Sequence, residues 1–73
     1  MVEIFKTNIT EQKQASKIIE EIQQIFPSFK INFDLEDCDN ILRIENPKGN
    51  IDNELVCRLI RGVGYFIEPL MDG

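Results

Sequence analysis

The sequence predicts an α+β domain in which two helices cover one face of a four-stranded antiparallel sheet. Three observations carry this expectation. Residues 31–45, INFDLEDCDNILRIE, hold two runs of apolar–polar alternation joined by a polar turn, and a period of two gives one buried face and one wet face. A stripe of isoleucines recurs at the helical period before this hairpin, and a second stripe of leucine, valine and isoleucine recurs after it. A lone hairpin is marginal in water, so the two helices are the natural cover for its apolar side.

Taken in order, residues 2–7 read as a first strand, with Val2 and Ile4 pointing to the core and Glu3 and Phe5 pointing away. Lys6, Thr7, Asn8 and Ile9 make a short loop. Thr10 is the expected N-cap of the first helix, because its hydroxyl can accept a first-turn amide, and Glu11 suits the positive end of the helix dipole. Ala15, Ile18, Ile19, Ile22, Ile25 and Phe26 form the stripe of that helix, which Pro27 stops by disfavouring helical dihedrals in the residue before it. In the hairpin, Ile31, Phe33, Leu35, Leu42 and Ile44 face inward, and Asp37, Cys38, Asp39 and Asn40 make the turn. The run Asn46-Pro47-Lys48-Gly49-Asn50 is dense in turn formers. Asp52 then caps a second helix with Leu55, Val56, Leu59, Ile60 and Val63 as its buried stripe, and Gly62 or Gly64 supplies the left-handed residue that ends it. Residues 65–70 form the last strand, and Pro69, lacking an amide donor, places it at a sheet edge.

Strand, helix, strand, strand, helix, strand is the split βαβ arrangement of the ferredoxin-like fold, with an expected strand order of four, one, three, two. The 73 residues make one domain, with residues 2–70 as its body and 71–73 as a short tail. The sheet face away from the helices is left open. On it fall Glu3, Phe5, Asn32, Asp34, Arg43, Glu45, Phe66 and Glu68. Phe5 and Phe66, on neighbouring strands near Arg43, are the candidate interaction surface, since a contiguous exposed apolar patch marks a contact site.

Composition narrows the function. Eight basic and thirteen acidic residues leave a net charge of −5, the wrong sign for nucleic acid or for an anionic membrane. No apolar run approaches the roughly 20 residues of a membrane span, and the start, MVEIFKTN, does not read as a signal peptide. The expectation is a soluble cytoplasmic protein with reduced cysteines. Without histidine, Ser-His-Asp and Cys-His chemistry are excluded, and the carboxylates lie on expected wet surfaces, so no enzyme and no cofactor are expected. Asp34, Glu36, Asp37 and Asp39 do not fit the spacing of a calcium loop. Cys57 reads as a small buried residue, and Cys38, among acids, is not an activated thiol.

With the elements laid out this way, residues 2–70 resemble the heavy-metal-associated domain, the copper-chaperone-like βαββαβ module also found in the N-terminal parts of metal-pumping ATPases. The resemblance rests on the isoleucine stripe, the hairpin and the ending LIRGVGYFIEPL. That family grips a soft metal through M-x-C-x-x-C in the loop before the first helix. Here Lys6 stands at the methionine position, and Asn8 and Glu11 stand at the cysteine positions, with Thr7 and Thr10 between them. Neither Asn8 nor Glu11 is a soft ligand, so the resemblance implies the fold without the metal chemistry. Tyr65 matches an aromatic that bacterial members place near the metal loop.

The resulting expectation is a small non-enzymatic protein-interaction module with a metallochaperone-like fold that has lost its metal ligands and that binds an unidentified protein or itself. Two alternatives stay open. One is a metal-binding or metal-sensing protein using non-standard ligands such as Cys38, Cys57 or carboxylates. The other is a regulatory domain that binds an anionic metabolite at the first helix N-terminus, near Lys6, Thr7 and Thr10.

Overall fold

The computed structural model describes residues 1–35 and 40–70. The elements are β1 (Val2–Thr7), α1 (Gln12–Ile25), β2 (Lys30–Asp34), β3 (Ile41–Glu45), α2 (Asn53–Val63) and β4 (Ile67–Pro69). The four strands form one antiparallel sheet in the order β2-β3-β1-β4, which from the β4 edge reads four, one, three, two. Buried residues of both helices and of one sheet face belong to a single apolar cluster, so both helices lie on that face. The hairpin turn expected at residues 37–40 falls mostly outside the described residues. Asn40, at its end, has a positive φ of 49°, a conformation that asparagine tolerates better than most residues.

The phase of β1 corrects the sequence expectation. Phe5 is fully buried and Thr7 nearly so, whereas Val2 is exposed and Ile4 is half-buried. Phe5 sits opposite Leu42 on one side and Pro69 on the other, and Ile4 sits opposite Arg43. The segment VEIFKT carries apolar residues at both parities, so alternation alone does not choose between them. Pairing does: Leu42 and Ile44 face the helices, and a cross-strand partner points the same way. This phase also buries the largest side chain of the strand, and aromatic rings bring the greatest apolar area into a core.

Both helices bury narrower stripes than their sequences offer. In α1, Ala15, Ile18 and Ile22 are buried, while Ile25 is 51% exposed. In α2, Val56, Cys57 and Ile60 are buried, while Leu55 and Val63, expected inside, are 37% and 43% exposed. At about 1.5 Å per residue, α1 runs roughly 21 Å, longer than the roughly 17 Å of the five-residue β2, and Ile25 is its last residue. Length does not account for α2, which at 11 residues is no longer than that strand. There Leu55 lies about 100° around the helix from Val56, off the line of Val56 and Ile60, and Val63 is the last residue of the helix.

The caps divide. Asp52 accepts the Leu55 amide at 3.2 Å and caps α2, and Gly64 ends that helix with φ 105°, a left-handed conformation that costs an L side chain about 1–2 kcal/mol. The first helix departs from expectation: Glu11, not Thr10, is its N-cap residue, and no side chain caps it. Burial of Ile9 fixes the approach to the helix, and Thr10 is left exposed. At the other end of α1 the rings of Phe26 and Phe29 stack with centroids 4.5 Å apart, closing the turn around Pro27. The last strand is shorter than the expected 65–70. Its pairing is extended by the Leu70 amide, which donates to the Ile4 carbonyl at 2.9 Å.

Candidate interaction surface

The loop from Lys6 to Glu11 is tied into the body of the domain. Thr7 Oγ1 donates to the Asn40 carbonyl at 2.7 Å and accepts the Ile9 amide at 3.2 Å. Asn8 Oδ1 accepts the Phe66 amide at 2.9 Å, and the Asn8 amide donates to the Phe66 carbonyl at 3.4 Å. This two-way bracket joins the residue just after β1 to the residue just before β4. Asn8, at one expected cysteine position, therefore acts as a clasp. Glu11, at the other, holds extended backbone at the helix boundary and is exposed. Lys6 is half-buried on the open sheet face, opposite Ile41 and Glu68. Among the described residues no group of three or more histidine, cysteine or acidic side chains is placed to hold a metal ion. Cys38, Glu36, Asp37 and Asp39 lie outside the described residues.

Cys57 is buried in α2. Burial pushes its thiol above the ordinary value, and the nearby Arg61 guanidinium opposes that only in part. At neutral pH it stays a protonated thiol, and a thiol in that state is a poor nucleophile and a poor metal ligand.

The open sheet face is built by the register of four strands. Three rows cross it. Lys30, Glu45 and Val2 form one row, Asn32, Arg43 and Ile4 the next, and Asp34, Ile41, Lys6 and Glu68 the third. Ile4, Asn32, Phe33, Asp34, Ile41, Arg43 and Leu70 line a shallow hollow of about 530 Å³, all but Phe33 from the open side. Lys30 Nζ lies 3.9 Å from Glu45 Oε2, a solvated pair that contributes little to stability.

Of the three residues expected to form the surface, the structure leaves two in reach. Arg43 is exposed and lines the hollow, and Phe66, just before β4 and not part of that lining, is 48% exposed. Phe5 lies on the opposite face, in the core, and Glu3, whose partner is Ile44, is half-buried on that same face. Asn32, Asp34, Glu45 and Glu68 fall on the open side as expected from alternation. Reasoning from the sequence missed Ile4, Ile41 and Leu70. Ile41 was legible in principle, because it shares the parity of Arg43 and Glu45. Ile4 was hidden by the ambiguous phase of β1. No family model matches this chain, and neither curated proteins nor solved structures give a match.

Proposed function

We propose that this protein is a non-enzymatic interaction module of ferredoxin-like architecture and that its open sheet face is the contact surface. The observation that carries this reading is the make-up of the hollow. Two isoleucines and a leucine are interleaved there with Arg43, Asn32 and Asp34, a mixture of apolar and polar groups suited to recognition. The order of elements and strands supports the ferredoxin-like label and, with it, the likeness to the heavy-metal-associated domain at the level of fold. Fold alone does not carry function across. The clasp roles of Thr7 and Asn8 support a loop that has exchanged metal binding for structure.

Site-specific crosslinking tests this reading. A benzophenone side chain replacing Asn32 or Arg43 in the full chain, photolysed in cells that make the protein, is expected to form protein adducts. The same group at Lys13 or Glu20, both exposed on α1, is expected to form none. Adducts restricted to the α1 positions, or none at all, contradict the proposal.

A further inference from the structure

The two edges of the sheet are finished differently. The Leu70 amide donates to the Ile4 carbonyl and the Asn8 amide to the Phe66 carbonyl, so Ile4 and Asn8 turn their backbone groups toward β4. In an antiparallel pair such directions alternate along the strand. Glu3 and Phe5 therefore bond Ile44 and Leu42, continuing the exchange of amide and carbonyl between Met1 and Asn46. One strand further, Ile41, Arg43 and Glu45 bond Asp34, Asn32 and Lys30, and the amides and carbonyls of Ile31 and Phe33 point out of the sheet. At the β4 edge the outward groups belong to Ile67 and Pro69. The Ile67 carbonyl accepts from the Arg61 guanidinium at 3.0 Å and Pro69 has no amide, so neither residue offers both groups. At the β2 edge Phe29 is closed too: its amide donates to the Phe26 carbonyl at 3.1 Å, and its carbonyl accepts from Gln23 Nε2 at 3.3 Å. Among the described residues nothing covers the backbone groups of Ile31 and Phe33, and such an edge is a template for another strand.

We infer that β2 of a second copy of this chain pairs with this edge, antiparallel about a twofold axis at Asn32, so that the two sheets join into one. The occupant follows from the strand itself, Lys30-Ile31-Asn32-Phe33-Asp34, which is complementary to its own reverse. Paired with its copy, it sets Lys30 opposite Asp34 twice and Asn32 opposite Asn32, all on the open side. Ile31 and Phe33 fall opposite each other on the helix side and exchange amide and carbonyl, which satisfies every outward group of both residues in both copies. A shift of two residues in either direction takes Lys30 away from Asp34 and sets Ile31 or Phe33 opposite a residue outside the strand. A lysine and an aspartate at the two ends of an edge deter most strands, but not one with the acid and the base in reverse order. Within its own chain Lys30 is held only by the solvated pair with Glu45 at 3.9 Å, so it stays able to reach across. Phe33 and Leu35, in and just after β2, are only partly buried against the core, and pairing covers apolar surface beside them. The pairing does not depend on the open-face reading, because Arg43 and Ile4 stay uncovered when two edges meet.

Sedimentation equilibrium and amide hydrogen exchange of the full chain at low ionic strength test the inference. As concentration rises, the wild type is expected to pass from monomer to dimer, and exchange at the Ile31 and Phe33 amides is expected to slow in step. Asp34→Lys sets lysine against lysine at both ends of the pair, and Lys30→Asp sets aspartate against aspartate. Each is expected to weaken self-association by about tenfold or more, because like charges are forced together. An equimolar mixture of the two variants is expected to recover it, since every facing pair is then of opposite sign. Both positions are exposed, and a cooperative urea transition establishes that each variant is folded. Arg58→Glu, exposed on α2, changes the charge of the chain as much as Lys30→Asp does and is expected to leave the dimer intact. The inference is overturned by a wild type that stays monomeric, by Ile31 and Phe33 amides that exchange alike dilute and concentrated, by a dimer lost with Arg58→Glu but kept with Asp34→Lys, or by a mixture that fails to recover association. Adducts to another protein from position 43 report on the open face alone, so either reading can fail without the other.

Discussion

Replacing Phe5 with alanine tests the phase of β1, on which both the core and the open face depend. Phe5 is 0% exposed on a central strand, between Leu42 and Pro69. Truncating a buried phenylalanine costs about 3–5 kcal/mol, part of it lost transfer energy and part the cavity left behind. A domain of 73 residues has roughly 4–11 kcal/mol in total. Phe5→Ala therefore removes a large share and is expected to leave the chain largely unfolded or close to it. Phe5→Leu is the measurable companion, with an expected loss of about 1–2 kcal/mol. Ile4→Ala, on the half-buried open side, is expected to lose less than about 1.5 kcal/mol, below the usual cost of a fully buried isoleucine. Urea unfolding followed by circular dichroism gives these numbers, run dilute enough for a monomer. At about 1 kcal/mol per molar for so small a chain, Phe5→Leu moves the midpoint by roughly 1–2 M. The opposite ranking, with Ile4→Ala costing more than Phe5→Ala, would refute the register and the surface derived from it.

Thr7→Val removes a buried hydroxyl that serves both the Asn40 carbonyl and the Ile9 amide, and urea melts are expected to show a loss of about 1–3 kcal/mol, which Thr7→Ser largely restores. Asp52→Ala deletes the α2 cap and is expected to cost about 0.5–2 kcal/mol by the same assay. The raised Cys57 thiol gives a signed pH effect. Its ordinary value is 9.0 and the folded value is higher, so above that pH the unfolded chain holds fewer protons than the folded one, and stability falls as pH rises. The contribution is whole below pH 9.0 and is lost toward the folded value; Cys57→Ala, melted across the same pH series, is expected to show a flatter decline. Titration with Cu(I) or Zn(II) is expected to leave the amide resonances of Asn8 and Glu11 in place, and micromolar binding there would revive the metal-sensing alternative.

Where one residue type leaves a single physical choice, the sequence was informative. Asp52 caps because its carboxylate reaches a first-turn amide, Gly64 adopts φ 105°, and Pro69 lies on an edge strand. The alternation of residues 31–35 and 41–45 set the faces of β2 and β3, and with them three of the charged residues on the open face, Asp34, Arg43 and Glu45. Where two choices are close in energy, the sequence fell short. In VEIFKT, Ile4 and Phe5 compete for the core, and only pairing with Leu42 decides between them. Ile25, at the end of the longer helix, was misjudged for another reason: a periodic stripe says which way a side chain points, not whether the sheet beneath extends that far. Thr10 shows the same limit, since its capping depends on where Ile9 is anchored. The candidate surface inherited the first error through Phe5 and escaped it at Arg43 and Phe66.

Methyl NMR of the full chain with a soluble paramagnetic probe tests the central claim, an open face built on the phase of β1, most directly. The account predicts strong broadening of the Ile4, Ile41 and Leu70 methyl groups and little of those of Leu42, Ile44 or Ile67. Ile4 methyls as protected as those of Leu42 would contradict it.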